Sequence, residues 1–479
     1  MLDIPTPPSG PRVMAVHWAV LWAALGAIAI LVPPAGAQGQ LELINNYMWS
    51  QRRWEGPRVA LPRPSPRPDL PIVVRSELRP LAVHASIEVP EARAQAALSA
   101  LEAAYDDLEA RGWEAPPSDG GAGGSYDFDL YLLGGQARGD AAYPDPRQLT
   151  SYLDSAPAFA VVDRAVGGED LAACVTSAYA QAMLIGQDPA EAVTWRRATA
   201  TYLTWLLTGT WGCDDGAVAR HQQDAHRGWT ALGADPESTE EAEDWGDGGA
   251  ILLAEIAERH DHGTGRFVHD IWQIARQRTW ERRAVGLRAS PDMWEAIEAA
   301  FSLTPDDVPT LIEELAIARY YVGSEARVSE GHWGERPWGH SLPSDATVPV
   351  TESFTWAELP KYTRPHDPPL EPFGSAYFEV DVREAQVGDR LRLWLRGEFG
   401  VRWSFVAVSL DAEGKELGRM STPPRRLTRS YTQLDFTDRR TARVVVVVTN
   451  LSSRLPDADE GDDNVRSFRV IFDHGENSE

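Results

Sequence analysis

Two hydrophobic periods divide this chain, and a fold must accommodate both. Up to about Gly323 apolar residues recur at helical spacing, as in ARAQAALSALEAAYDDLEAR over 92–111. From Ser375 onward they alternate: SAYFEVDV, RLRLWLRG, RWSFVAVSL, KELGRM, YTQLDF, ARVVVVVTN and SFRVIFD follow one another, with turn residues such as Val387-Gly388-Asp389 and Glu413-Gly414-Lys415 between them. A period near 3.6 calls for helices buried on one stripe, and a period of 2 for strands buried on one face. Seven short strands in about a hundred residues fit an antiparallel β-sandwich over 371–474. Eight prolines between 326 and 372 mark the boundary, so 326–370 reads as a linker. The expected class is α+β.

The first part mixes strands with its helices. HASIEV alternates like a strand from Val83, and a helix over Ala92–Arg111 stops at Gly112. A Gly-rich loop, PPSDGGAGGSYDF, feeds a strand at Phe128–Leu133. It is no phosphate-binding loop, since no Gly-Lys-Ser/Thr follows and a strand comes next. A strand at Ala158–Asp163 leads to helices at 170–186 and 190–207. Further helices are expected at Ala250–Arg259, Arg266–Arg276, Met293–Phe301 and Val308–Tyr321. DPESTEEAEDWGD, with seven acids and no base, reads as a solvated loop.

The N-terminus sets the compartment. VMAVHWAVLWAALGAIAILV follows Arg12, and Ala35-Gly36-Ala37 supplies an A-x-A site, so residues 1–37 read as a signal peptide cleaved after Ala37. The run approaches the roughly 20 residues that span a bilayer, so an uncleaved anchor is the alternative. Residues 38–82, with RRWEGPRVALPRPSPRPDLP, read as a Pro/Arg-rich linker or pro-segment. The protein is expected to be secreted or periplasmic. There its only cysteines, Cys174 and Cys213, are expected to pair. A formal charge of −26 argues against nucleic acid as a partner. Apart from the signal segment, no membrane contact is expected.

The chemistry turns on LAACVTSAYAQAMLIG (171–186) and TWRRATATYL (194–203). The pair resembles the active-site helices of gluzincin-type zinc peptidases, in particular secreted bacterial metalloproteases. There one helix reads H-E-Y-x-H-A, a second reads W-x-E-A-T-A-T, and a Gly-rich strand lead-in of the form D-G-G-x-G-G-x-x-x-x-D-x-Y-L lies upstream. The resemblance covers roughly residues 93–325 and implies a zincin-like, mostly helical peptidase-type domain over 83–325. Tyr179, Ala182, Trp195 and Ala198–Thr201 anchor the match. On those anchors the two metal imidazoles fall on Ser177 and Gln181, the general-base glutamate on Ala178, and the third metal ligand on Arg197. A hydroxyl and an amide are poor zinc ligands, a methyl takes no proton, and a guanidinium has no lone pair and repels a cation. The resemblance therefore implies a degenerate, inactive site, with no zinc.

The chain has 11 histidines that could supply relocated ligands. His260 and His262, around Asp261, are the nearest to a metal pair, with His269 beyond; a solvated loop is the plainer reading. His221 and His226, five apart, fall on different helical faces. No G-x-S-x-G exists, and a bridged Cys174 is no nucleophile. Binding is the function left. A former substrate cleft would take an extended peptide or protein by strand addition. Alternatively, a sandwich face carrying Trp394, Trp403, Phe405, Tyr431 and Phe436 would stack on glycan, although these rings also suit a core. Asp457, Asp459, Glu460, Asp462 and Asp463 in LPDADEGDDN are dense enough for calcium but lack EF-hand spacing, so an acidic turn is the first reading.

Overall fold

Leu81–Ala85 is buried at every position, which a strand needs when it lies inside a sheet covered by helices. In the computed structural model it is the second strand of a five-stranded mixed sheet. The structure describes residues 58–59, 66–135, 139–145, 155–168, 170–214, 216–229, 232, 245–276, 287–288, 291–323, 336–425, 428–452 and 464–475. The stretch 1–37 expected to be a signal peptide, the body of the Pro/Arg-rich stretch, residues 235–244 and residues 457–463 lie outside the described residues.

The sheet runs β1 (Ile72–Arg75), β2 (Leu81–Ala85), β3 (Phe128–Leu133), β5 (Ala158–Asp163), β4 (Asp140–Pro144) in spatial order. The central strands are parallel, Leu81 opposite Phe128 and Leu130 opposite Ala160. Both edges are antiparallel, with Ile72 opposite Ala85 and Asp140 opposite Val162. Helix α1 (Glu91–Ala110) makes the crossover from β2 to β3. Helix α2 (Asp170–Gln187) packs on α1, β4 and β5, and α3 (Val193–Thr208) packs on α2. Residues 173–187 of α2 are all buried, so this Ala-rich helix is a central rod and not an amphipathic surface helix. Further along come α4 (Gly216–Gln223), α5 (Ala250–Asp261), α6 (Arg266–Ala275), α7 (Met293–Phe301) and α8 (Val308–Tyr320). The start of α7 is fixed by a reciprocal capping box between Asp292 and Glu295.

All seven alternating segments after Ser375 form strands. Two more, β6 (Val350–Thr355) and β7 (Lys361–Tyr362), come from the stretch expected to be a linker. With β8 (Ser375–Asp381), β9 (Arg390–Gly397), β10 (Trp403–Leu410), β11 (Glu416–Arg425), β12 (Arg429–Asp435), β13 (Arg443–Asn450) and β14 (Phe468–Gly475) they make two sheets. One is ordered β11-β10-β13-β8-β6 and the other β12-β9-β14-β7. The pairing is antiparallel except between β6 and β8, which are parallel. Phe378, Leu393, Phe405, Val446 and Phe472 from both sheets share one apolar cluster. The unbroken Val444–Val448 run is explained by burial on two sides. Val444, Val446 and Val448 face the cluster between the sheets, while Val445 and Val447 meet Ile317, Tyr320 and Tyr321 at the end of α8.

Three other expectations shift. The strand expected from Val83 ends at Ala85: Val89 N–H bonds Ser86 O in a turn, and Ile87 is left exposed. The Pro/Arg-rich stretch is structured at its end, where it contributes β1. Neither β4 nor α4 was anticipated. The class is α+β, and among the described residues no helix is long and apolar enough to cross a membrane.

Candidate functional site: a buried ion-pair cluster between two central helices

Ser177 and Gln181 lie one turn apart on α2, so they share a face, and that face meets β4 and α3. Arg197 and Thr201 repeat the spacing on α3. The four converge with two aspartates, and none of the six residues is more than 7 % exposed. Gln181 Nε2 donates to Asp140 Oδ2 at 2.7 Å and to Ser177 Oγ at 3.4 Å. Arg197 donates from Nε to Asp247 Oδ1 at 3.0 Å and from Nη2 to Asp247 Oδ2 at 2.8 Å, and it reaches Asp140 Oδ1 at 3.4 Å. Thr201 Oγ1 donates to Asp247 Oδ1 at 3.0 Å. Ala178 is fully buried beside them.

Asp140 comes from the first position of β4. Asp247 comes from the turn Trp245-Gly246-Asp247-Gly248-Gly249, inside the stretch expected to be a solvated acidic loop. That expectation fails at Asp247, which turns inward because Arg197 supplies the charge that makes its burial tolerable. The approach needs Gly246: a Cβ there would stand 2.9 Å from Thr194 Cα and 3.1 Å from Arg197 Cβ. Burial pushes the Asp140 carboxyl above the usual carboxylate range, and Asp247 adds to the rise. Arg197 and a hydrogen bond from Ser177 oppose it. The Cys174–Cys213 disulfide lies one turn before Ser177 and ties α2 to the turn that follows α3. It clamps the two helices that carry the cluster.

This donor set does not fit zinc. The Ser177 and Gln181 side chains are already bonded to Asp140, and Arg197 presents only N–H donors to the centre. The Arg197 guanidinium is charge-paired there with Asp247 and Asp140.

A second ionic cluster was missed in the sequence. Arg67, from the Pro/Arg-rich stretch, is buried among Asp119, Asp129 and Asp145 at 2.6, 2.5 and 3.9 Å. His84 Nε2 bonds the other oxygen of Asp129 at 2.8 Å. Asp119 also accepts the N–H groups of Gly121, Ala122 and Gly123. The Gly-rich loop thus wraps one of its own carboxylates, and Arg67 pins the chain entering β1 to it. No motif marks this arrangement; the only signal is three aspartates near a conformationally free loop.

The other candidates do not converge. His260 stacks on Phe267 at 4.3 Å and lies 3.6 Å from Asp306, while His262 is exposed in the left-handed position that ends α5. Asp261, between them, caps the N–H groups of Thr264 and Phe267. His221 is buried between Trp229 and Trp245, at 4.6 and 3.9 Å. Among the described residues no group of three or more His, Cys, Asp or Glu is arranged to hold a metal ion. Of the five aromatics considered for glycan, Trp403, Phe405 and Phe436 are in the core, whereas Tyr431 is exposed and Trp394 half-buried, 5.2 Å apart. No protein-family model matches the chain, and no curated protein matches it.

Proposed function

We propose that this chain is a secreted or periplasmic, catalytically inactive relative of zinc metallopeptidases, with a zincin-like domain followed by a β-sandwich, whose remaining role is binding or structural. One observation carries the reading. The three positions that the peptidase pattern reserves for metal ligands, Ser177, Gln181 and Arg197, meet at one buried point and are there joined to Asp140 and Asp247. Convergence is what a shared ancestral frame requires. The replacement of lone pairs by N–H donors is what loss of the reaction requires. The disulfide is consistent with an oxidising compartment. The test is hydrolysis of casein and of a mixed peptide library by the purified protein with added zinc. No turnover is expected; chelator-sensitive cleavage that disappears in Gln181→Ala would refute the reading.

A second reading, a glycan-binding or surface-binding role for the C-terminal sheets, is favoured by a row on one outer face. Tyr431, Trp394, Ile471 and Tyr362 are direct cross-strand neighbours over β12, β9, β14 and β7. Tyr362 and Tyr431 are exposed. Aromatic surfaces of this kind stack on sugar rings. Retention on insoluble polysaccharides, lost in a Trp394→Ala, Tyr431→Ala variant, would support it; no retention on any would remove it.

A further inference from the structure

The end of α1 builds a cavity unrelated to the ion-pair cluster. Gly112 adopts a φ of 92°, its N–H donates to Glu109 O at 2.9 Å, and Trp113 N–H donates to Leu108 O at 3.0 Å. These are the two bonds of a Schellman stop, and only a residue tolerant of the left-handed region closes it without strain. The stop folds Trp113 back against the helix end. There Trp113, Tyr105 and Tyr179 with Glu109 and Glu114 line a cavity of about 370 Å³. Tyr179 lies two residues from both Ser177 and Gln181, so it faces the other side of α2. The floor is buried, Trp113 being 3 % and Tyr179 2 % exposed, while Glu109, Gly112 and Glu114 form an exposed rim.

The rings and one carboxylate select the charge of an occupant. Tyr105 and Tyr179 stand 6.2 Å apart between ring centres, and such rings attract cations. Tyr105 already does so, because the Arg79 guanidinium, held by Asp106, lies 5.9 Å from its ring centre. Glu109 stands in the last turn of α1, at the rim of the cavity. Among the described residues the Glu109 carboxylate has no ion pair or hydrogen bond, whereas Glu114 is held by Arg276 at 2.7 Å. Tyr179 lines the cavity, and burial keeps its hydroxyl a neutral phenol able to donate and accept. An anion would meet the Glu109 carboxylate.

We infer that this cavity binds an alkylammonium group, of a small organic cation or of a lysine side chain, with the Tyr105, Trp113 and Tyr179 rings around it and Glu109 as its counter-ion. The volume, at the small end of the roughly 300–1,000 Å³ typical of ligand pockets, admits one such group and a short chain. The experiment is calorimetric titration of the whole protein with three probes: choline, Nα-acetyl-lysine methylamide, and 3,3-dimethylbutan-1-ol, the uncharged isostere of choline. At least one ammonium probe is expected to bind, with the isostere weaker by about tenfold or more, as cation–π and ionic attraction are lost together. Choline the tighter of the two ammonium probes identifies a free quaternary ammonium; the lysine derivative the tighter identifies a peptide side chain. Glu109→Gln, at an exposed position that leaves the fold intact, is expected to weaken binding at least about threefold. Tyr179→Phe, which removes only the hydroxyl, is expected to weaken the lysine derivative more than choline, which has no N–H to donate. The inference is overturned if neither ammonium probe binds, if the isostere binds as tightly, or if Glu109→Gln changes nothing.

Discussion

Arg197 grips both carboxylate oxygens of Asp247, at 3.0 and 2.8 Å, across fifty residues of chain. The geometry is the two-pronged one that guanidinium and carboxylate favour, and it is buried. It joins α3 to the glycine-flanked segment before α5.

Removing one member of a buried pair strands the other. Arg197→Met should destabilise the protein by about 3–5 kcal/mol, because Asp247 loses its counter-ion in a site closed to water. Arg197→Met combined with Asp247→Leu should cost less than Arg197→Met alone. Urea denaturation of the two variants and the wild type measures both. Equal losses for the single and double variants would mean that the packing, not the charge, matters here.

The Asp140 carboxyl titrates higher in the folded protein than in the unfolded chain, owing first to burial. Its contribution is therefore fully present below the unfolded value, about 3.9, and is lost as pH rises through the folded value. Unfolding free energies of wild type and Asp140→Asn, compared at pH 4 and pH 7, should show the variant gaining on the wild type as pH rises. A difference independent of pH would contradict the assignment.

His221 has the opposite sign. Burial holds its imidazole well below the usual range, with Arg319 and then Arg227 adding to the effect. Its ring nitrogens have no hydrogen-bond partner among the described residues. The folded protein keeps it neutral while the unfolded chain takes a proton below about pH 6.5, so stability present above that value is lost as pH falls toward the folded pKa. Relative to His221→Leu, the wild type should lose up to about 1.4 kcal/mol per pH unit below pH 6. Parallel pH profiles for the two proteins would refute this.

The disulfide closes a separation of 39 residues. Replacing both cysteines by alanine should cost about 3–4 kcal/mol in denaturation experiments. Under reducing conditions the wild type should fall to the level of the variant. No change on reduction would show that the bond does not support the helix pair.

The strands after Ser375 were legible because each is buried on at least one face, and burial writes itself into alternation. The helices were legible for the same reason at the longer period. Val350–Thr355 was not, since VTESFT is a half-exposed edge strand whose register comes from its parallel neighbour and not from its own pattern. At the candidate site the α2 and α3 members could be named, since i and i+4 spacing on one helix is a sequence property. Asp140 and Asp247 could not. Asp140 opens a short edge strand and Asp247 lies in a single helical turn, and only the tertiary fold brings them to Arg197; Asp247 was hidden further among six neighbouring acids. Arg67 was obscured in the same way by a Pro/Arg-rich composition that reads as linker.

The central claim is that the point between α2 and α3 is a closed ion pair and not a metal centre. Crystals equilibrated with zinc and measured at the zinc absorption edge test it most directly. The account predicts no anomalous peak within coordination distance of Ser177, Gln181 or Asp140, and Arg197 still paired with Asp247. A full-occupancy zinc ion at that point, with Arg197 swung away, would contradict it.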